Sequence, residues 1–218
     1  MNSIMSPGKE LFEIKNQRQF KNWSHVYDGI FFRLYFDPLY KRIIQAIGQR
    51  KAEALHSGGS MLDIACGTAE VLKRLAGNYP SGKFAGIDLT AEMVAKAKEK
   101  TRDLSNVFIT IGNAARLPFP DLSFDVILIS EAMHHIFEPE KMILEVNRIL
   151  KKDGLFLVVD PAKETPIMVL FGWLFKPLEK AYRYYSQAML RDLLVGGGFT
   201  VVDKVGLFMN NFIFATKK

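Results

Sequence analysis

From about residue 60 onward, short runs of β-branched residues alternate with segments of helical periodicity. This alternation is typical of parallel βαβ units, because two parallel strands need a crossover connection that is usually a helix. The chain is therefore predicted to form an α/β domain. The expected strands are 61–65, 83–88, 107–111, 124–130 and 154–160, and the expected helices between them are 69–78, 91–103 and 140–151.

The predicted sheet should be covered on both faces. The sequence LKKDGLFLVVD turns at Asp153-Gly154 into a strand that is apolar on both sides, which is typical of a buried parallel strand. The helix that follows Pro139 carries its apolar residues on one face, as packing on a sheet requires. These residues are Ile143, Val146, Ile149 and Leu150.

The two ends of the chain have different patterns. After the glycines at 196–198, FTVVDKVGLF and NNFIFATKK are separated by too few residues for a crossover helix and should form an antiparallel hairpin. Residues 9–55 are predicted to be helical, with a break before Pro38. We expect one domain with an N-terminal helical cap at 1–58, a core at 59–218 and an apolar insertion at 162–185, the cap and the insertion being candidate lid segments.

Composition excludes several classes of protein. With 49% hydrophobic and 24% charged residues, the composition is typical of neither disordered nor membrane-spanning proteins. No N-terminal apolar core and no run of about 18 apolar residues occurs, so we expect neither a signal peptide nor a transmembrane helix. The single cysteine, Cys66, cannot form an internal disulfide or a cysteine zinc site, so we expect a cytoplasmic protein without a metal.

The net charge of +6 is concentrated in the flanks. Residues 1–60 contain nine Lys/Arg against five Asp/Glu, and residues 161–218 contain eight against four. Basic flanks are compatible with an anionic membrane surface or with nucleic acid. Because no block of five or more basic residues occurs, a solvated surface is the simpler interpretation.

Chemically informative residues follow the predicted strands. In an open α/β sheet, ligands bind beyond the carboxyl ends of the strands where the strand order reverses. The first strand, in MLDIACGTAEVL, ends near Asp63 and turns into a helix at Gly67, where the backbone can approach a ligand closely. Asp88 ends the next strand 21 residues after Gly67, a position that suits a carboxylate binding ribose hydroxyls.

The turn favours a cationic nucleoside over a dinucleotide. A dinucleotide needs G-x-G-x-x-G, whereas residues 65–70 read ACGTAE and keep one glycine of that pattern. Asp63 and Glu131 place two negative charges around the turn, where they would repel a diphosphate and attract an ammonium and a sulfonium. These charges favour S-adenosylmethionine (SAM) over NAD.

Four segments, in order and at matching spacing, resemble the class I SAM-dependent methyltransferases, most closely the branch of ubiquinone and menaquinone C-methyltransferases. The segments are LDIACGTAE, GIDLTAEMVAKAKEK, GNAARLPFPDLSFDVI and LEVNRILKKDGLFLVVD, and the resemblance covers about residues 25–160. It implies a doubly wound, Rossmann-like sheet of seven mostly parallel strands in the order 3-2-1-4-5-7-6, the last antiparallel, with helices on both faces.

The resemblance also implies a cofactor site. Asp63 and the backbone of Ala65, Cys66 and Gly67 would hold the methionine part of SAM, with Ser130 and Glu131 beside them at the end of the fourth strand. On the adenosine side, Asp88 would bind the ribose, Leu89 would pack on the adenine, and Asn113, flanked by Ala114, would accept from the adenine amine. Tyr27 resembles an aromatic residue that closes over SAM, although core packing explains it equally well.

The sequence departs from the family pattern at three positions of this site. Ala65 and Ala69 replace glycines, and Asn113 replaces an aspartate. We expect the alanines to crowd the turn slightly and cofactor binding to persist.

Candidate catalytic residues are less specific. His134 and His135 follow the fourth strand, where either is placed to act as a general base, and Asp160 ends the fifth strand on the same side. A structural role, capping and packing the next helix, explains the histidine pair as well. Cys66 is expected to be small packing rather than a nucleophile.

The residues together predict a SAM-dependent methyltransferase that acts on a small, apolar or aromatic acceptor by in-line displacement. A catalytically silent SAM-fold subunit remains an alternative. A nucleic-acid methyltransferase is disfavoured because SEAM stands where an N/D-P-P-Y motif would be, so no nucleic-acid partner is expected. Peripheral membrane contact through 162–185, and a monomer or a homodimer, remain open.

Overall fold

The computed structural model describes residues 30–162, 183–207 and 209–218, together with Leu11, Ile14 and Lys15. Its helices are α1 (Ile30–His56), α2 (Glu70–Asn78), α3 (Ala91–Thr101), α4 (Pro139–Ile149) and α5 (Gln187–Gly196), with a short 3-10 helix at Met133–His135. Its strands are β1 (Ser60–Ile64), β2 (Lys83–Asp88), β3 (Val107–Ile111), β4 (Phe124–Ser130), β5 (Leu150–Pro161), β6 (Phe199–Leu207) and β7 (Asn210–Lys217).

Within the described residues, the strands form one seven-stranded sheet in the order β3-β2-β1-β4-β5-β7-β6. The first five strands of this order are parallel, and β7 runs antiparallel to both β5 and β6. The predicted topology and C-terminal hairpin are thus confirmed. The strand order reverses between β1 and β4, which is where ligands bind in open α/β sheets.

Each face of the sheet has its own hydrophobic core, because alternate strand residues point to opposite sides. In β4, Val126 and Leu128 pack with α1, α2 and α3, whereas Ile127 and Ile129 pack with α4 and α5. Full burial of each such side chain stabilises the fold by about 1.5–3 kcal/mol. Helices therefore cover both faces, as predicted.

The predicted break before Pro38 is wrong, because α1 continues through this residue to His56. Proline removes one helical hydrogen bond and strains the preceding turn, at a cost of about 3 kcal/mol. Pro38 lies on the exposed side of the helix, while Leu39, Ile43 and Ile47 on its inner side are buried in the core. Packing of that inner side offsets the local cost.

The start of β5 also differs from expectation. The strand β5 begins at Leu150, four residues before the predicted start, because Leu150 is buried and pairs with Phe124. The pairing of β4 with β5 is irregular between Phe124 and Val126, and the predicted turn at Asp153-Gly154 lies inside this irregular part.

Helix α5, which the sequence analysis did not predict, precedes the hairpin and buries Leu190 and Leu194.

Some predicted features lie outside the described residues. Tyr27 and residues 163–182, which make up most of the predicted insertion, belong to this group. Among the described helices, none combines the length and the apolar character needed to cross a membrane.

Candidate functional site

The turn between β1 and α2 has an unusual backbone. Ala65, Gly67 and Ala69 all have positive φ, at 55°, 54° and 62°. The left-handed region costs a non-glycine residue about 1–2 kcal/mol. The two alanines therefore strain the backbone, rather than crowding the turn by their volume as expected.

Hydrogen bonds hold this turn against the end of β2. The backbone nitrogen of Cys66 donates to the Ile87 carbonyl at 3.1 Å, and the nitrogen of Gly67 donates to Asp88 Oδ2 at 2.9 Å. A Cβ atom added at Gly67 would meet no atom within 4 Å. The space beside Gly67 is thus open to a ligand.

Asp88 is positioned by the backbone on both sides. Its Oδ2 accepts from Gly67, and its Oδ1 accepts from the backbone nitrogen of Thr90, the residue before α3, at 2.9 Å. Burial raises its pKa, and the hydrogen bonds from Thr90 and Gly67 partly oppose this rise. A carboxylate has about four lone pairs, so these bonds still allow contacts with ribose hydroxyls.

A first cavity of about 70 Å³, open to solvent, lies beyond the ends of β1 and β2. It contains all four residues that were predicted for the adenosine side, namely Asp88, Leu89, Asn113 and Ala114. Its walls also include Ile64, Ile87, Ile136 and Phe137, which suit an apolar base.

Asn113 differs in detail from the prediction. Its Oδ1, expected to accept from an adenine amine, accepts from the backbone nitrogen of Ala115 at 2.8 Å. An amide oxygen has two lone pairs, so this bond does not exclude the predicted contact.

A second cavity, of about 30 Å³ and also open to solvent, borders the same turn. It is lined by the residues predicted for the methionine side, Asp63, Cys66, Gly67, Ser130 and Glu131. Ala65 lines both cavities, so the two are adjacent across this residue. An elongated ligand could therefore bend over the turn.

Asp63 is a buried acid without compensation. Its side chain is 2% exposed, and among the described residues no group donates a hydrogen bond to its Oδ1. Burial, and then the nearby charge of Asp88, raise its pKa well above the usual value of 3.8. Such a carboxyl group gains most from a ligand cation that restores its charged form.

Glu131 is held at the mouth of this cavity by two other elements. The hydroxyl of Tyr35 in α1 donates to Glu131 Oε2 at 3.1 Å. In the amide orientation that satisfies both polar atoms of Asn210, its nitrogen donates to Glu131 Oε1 at 2.9 Å. Burial and the charge of Glu131 raise the pKa of Tyr35, so the phenol stays protonated and keeps donating.

Cys66 has a packing role. Burial, followed by the charges of Asp88 and Asp63, raises the pKa of its thiol, so the thiolate needed for nucleophilic attack is disfavoured. A Cβ atom at Gly86 would lie 2.8 Å from its sulfur, so the thiol occupies the space that this glycine leaves.

The two histidines are neighbours, with ring centroids 4.2 Å apart, but they have different surroundings. His134 is buried, and its Nδ1 lies 2.9 Å from Asp160 Oδ1. His135 lines the first cavity, on the side predicted for adenosine. The structure therefore brings His134 and Asp160 together and directs His135 elsewhere. Among the described residues, no three His, Cys, Asp or Glu side chains are grouped as a metal ion would require.

Sequence analysis missed the aromatic residues that α1 contributes. Phe36 and Tyr40 line the second cavity, and Tyr35 bonds Glu131. The signal was present in IFFRLYFDPLY, where aromatic residues recur along one predicted helix. Asn210 had no such signal, because only the pairing of β7 with β5 brings it to the site.

Comparisons with known proteins agree on one family. Residues 55–198 match the family model described as a methyltransferase domain. A demethylmenaquinone methyltransferase from Staphylococcus aureus is 30% identical over 190 residues, covering 78% of this chain and 76% of that protein.

Solved structures share the fold. A SAM-dependent methyltransferase from Thermotoga maritima, described as a possible histamine N-methyltransferase, matches with a TM-score of 0.73 and 24% identity, covering 93% of this chain and 99% of that one. A SAM-dependent methyltransferase from Aquifex aeolicus matches with a TM-score of 0.68 and 23% identity, covering 82% and 89%.

Proposed function

The chain belongs to the class I SAM-dependent methyltransferases, and from this premise we propose that it transfers the methyl group of SAM to a ring carbon of an apolar, quinol-type acceptor by in-line displacement. The observation that carries the proposal is the buried carboxyl group of Asp63, whose Oδ1 has no hydrogen-bond partner among the described residues, beside a turn that leaves room for a ligand.

The charges around the turn favour a cationic ligand. Three acids line the second cavity, Asp63, Glu70 and Glu131, and none of its described lining residues is a lysine or an arginine. Glu70 is paired with Lys100 at 2.8 Å, which leaves Asp63 and Glu131 as the acids that would repel a diphosphate. The ammonium group of SAM would instead restore the charge of Asp63.

The residues on the two sides of the turn suit the two ends of one molecule. Asp63 and Glu131 would hold the amino acid end, while Asp88 would bind the ribose and the apolar wall of the first cavity would take the adenine. The backbone at Gly67 would pass close to the ligand, because a side chain at this position would enter the open space. When bound, SAM supplies a methyl group on a sulfonium, which is a good leaving group.

The acceptor class is supported by the Staphylococcus aureus relative, whose name gives demethylmenaquinone as its substrate. In-line displacement needs positioning and exclusion of water more than a strong catalytic group. The aromatic residues Phe36 and Tyr40 beside the second cavity suit both tasks for an apolar ring.

Calorimetry and turnover together test this proposal. Purified protein is titrated with SAM, S-adenosylhomocysteine and NAD, and then incubated with labelled SAM and chemically reduced short-chain demethylmenaquinone. We expect SAM and its product to bind, NAD to bind far more weakly, and label to appear on the ring.

The variant Asp88→Ala serves as the site probe, and Asp203→Asn as the matched control. Asp88→Ala removes the ribose acceptor and loosens the turn, so SAM affinity should fall by about 100-fold or more. Asp203 pairs with Arg50 on the surface, far along the sheet in β6, and its loss should leave affinity unchanged. Absence of SAM uptake by folded protein would refute the proposal, and uptake without turnover would favour the silent subunit.

A further inference from the structure

A polar cluster lies within the sheet near the carboxyl end of β5, and its residues line neither of the two cavities. Asp160 of β5 and Asn211 of β7 are direct partners in the antiparallel ladder. Directly opposed residues have Cβ atoms about 5 Å apart. The side chains share the face of Val158 and Ile213, which pack with α4 and α5. Both side chains are buried, at 0% and 4% exposure.

Each of these residues has one buried polar atom that the protein leaves unsatisfied. Among the described residues, no hydrogen-bond partner reaches Asp160 Oδ2 or Asn211 Nδ2. Burial of a polar group without a partner is costly, so such atoms are rare in folded proteins and call for a physical reason. Here an acceptor and a donor stand side by side without bonding each other.

The other oxygen of Asp160 is occupied, and this fixes the carboxylate. Asp160 Oδ1 accepts from the backbone nitrogen of Met133 at 3.1 Å and lies 2.9 Å from His134 Nδ1. The ring of His134 stacks on Tyr184 at 5.3 Å, and its carbonyl accepts from the nitrogen of Arg183 at 3.2 Å. The carboxylate therefore presents Oδ2 in one fixed direction.

The cluster adjoins the cofactor site through the neighbouring residues of the same elements. Asn210, next to Asn211, bonds the carboxylate of Glu131 on the opposite face of β7. Glu131 in turn lies three residues before His134 and lines the second cavity. Ser130, at the end of β4, pairs with Val159, the neighbour of Asp160, so a molecule held at Asp160 and Asn211 would lie beside the carboxyl end of β4, where Ser130 and Glu131 line the second cavity.

We propose that Asp160 Oδ2 and Asn211 Nδ2 form the polar end of the acceptor site and bind a hydroxyaryl compound that carries a second oxygen. This inference rests on the proposed function. Asp160 accepts a hydrogen bond from the acidic hydroxyl of the acceptor, and Asn211 donates to the second oxygen. His134 is a positioning residue that keeps Asp160 oriented.

The same arrangement supplies the proton transfer that a ring carbon needs before it can act as a nucleophile. The hydroxyl proton moves to Asp160 Oδ2, and the electron pair left on oxygen enters the ring. The ring carbon then bonds the methyl carbon while the carbon–sulfur bond breaks and sulfur keeps the pair. The ring carbon finally loses its own proton to water, and Asp160 returns the first proton to oxygen.

The test uses 1,4-naphthalenediol, an unsubstituted hydroxyaryl probe, with 1,4-dimethoxynaphthalene as its hydroxyl-free partner, under anaerobic conditions. Binding of each probe is measured in the presence of S-adenosylhomocysteine, and methylation is measured with SAM. We expect the diol to bind and to be methylated, and the dimethoxy compound to bind at least about tenfold more weakly because Asp160 Oδ2 then meets no donor.

Isosteric variants assign the effect to the two residues. Asp160→Asn should lower turnover of the diol by about 100-fold or more, and Asn211→Leu should mainly raise its KM, by about tenfold. The affinity for SAM should stay within about twofold of wild type for both. His134→Leu should lower kcat, and His134→Asn, which can keep a nitrogen near the Nδ1 position, should restore much of it.

Several outcomes would overturn the inference. It would be overturned by equal binding of the two probes, by no binding of the diol, or by normal diol turnover in Asp160→Asn and Asn211→Leu. Each of these results would mean that the two unsatisfied atoms bind buried water instead of an acceptor. If Asp160→Asn fails to fold, Asn211→Leu and the probe pair on wild-type protein still decide. Because SAM binding is measured separately, its loss in wild type would refute the proposed function instead.

Discussion

The pKa values of Asp63 and Asp125, which lie at opposite ends of the sheet, are shifted in opposite directions. At the carboxyl end, Asp63 is buried, no cation of the described part of the chain pairs with it, and burial and the charge of Asp88 raise its pKa. At the amino end, Asp125 accepts from Lys151 Nζ at 2.7 Å and from the backbone nitrogen of Ser60 at 2.7 Å. Burial alone would raise the pKa of Asp125, but these bonds outweigh burial and lower it.

The difference shows which end of the sheet stabilises the fold and which end is kept for a ligand. A carboxyl group with a lowered pKa stabilises the folded protein above the ordinary carboxyl range, and this contribution is lost as pH falls through the lowered pKa. A raised pKa has the opposite effect, because the folded protein then loses stability as pH rises through it. Asp63 therefore costs the free protein stability at neutral pH.

Replacing the aspartate at each end of the sheet by asparagine should change the free energy of unfolding in opposite directions. Asp63→Asn removes the buried charge, so at pH 7 the free energy of unfolding of the ligand-free protein should rise by about 1–3 kcal/mol, while SAM affinity falls by about 10- to 100-fold. Denaturant unfolding and calorimetry measure these two changes.

Asp125→Asn is the matched control for this exchange. It should lower the free energy of unfolding by about 1 kcal/mol and leave SAM affinity unchanged, because Asp125 lies at the other end of the sheet. If both variants changed stability in the same direction, the contrast between the two ends would be wrong.

The pH dependence of SAM binding sharpens the same contrast. Because burial raises the pKa of Asp63 in the free protein and a ligand cation favours the charged form, SAM binding should lower this pKa and release protons over the pH range between the two values. SAM affinity should therefore fall as pH decreases through the raised pKa of Asp63, above the ordinary value of 3.8. Calorimetry in buffers of different ionisation enthalpy counts the proton, and Asp63→Asn should abolish most of the release.

Relief of backbone strain in the turn after β1 should have a smaller effect on stability. Ala65 has a φ of 55°, so Ala65→Gly should raise the free energy of unfolding by about 1 kcal/mol. Ala95 lies on the exposed side of α3, and Ala95→Gly should instead lower it by about 1 kcal/mol, the usual cost of glycine in a helix. A loss of stability in Ala65→Gly would mean that the methyl group of Ala65 packs well enough to outweigh the strain.

The smallest expected effect concerns Tyr35. Tyr35→Phe removes the hydroxyl that donates to Glu131, and SAM affinity should fall by about threefold. Tyr40→Phe is the comparison variant, because it removes a hydroxyl from another aromatic residue of α1, one that lines the second cavity, and keeps the ring, and it should have less effect on affinity. Equal effects of the two variants would mean that the bond from the Tyr35 hydroxyl to Glu131 has no specific role in SAM binding.

The local pattern of the chain was enough to predict the parallel sheet, the helices on both faces and the turn at Gly67. These features depend on residues that are close in sequence, such as the run from Met61 to Gly67 and the helix formers after Thr90. Asp63 and Asp88 could be assigned to one site because each lies at or next to the carboxyl end of its strand. The carboxyl ends of parallel strands meet at the same edge of the sheet, where ligands bind.

Only the tertiary structure decided the rest of the site. Asn210 and Asn211 reach it because β7 pairs with β5 across about 50 positions of sequence, a pairing that no local pattern encodes. Pro38 stays helical because burial of Leu39, Ile43 and Ile47 outweighs a local preference. Whether an acid is paired or unsatisfied likewise depends on neighbours from distant elements, which is why Asp63 and Asp125 have the same chemistry in sequence and opposite pKa shifts in the fold.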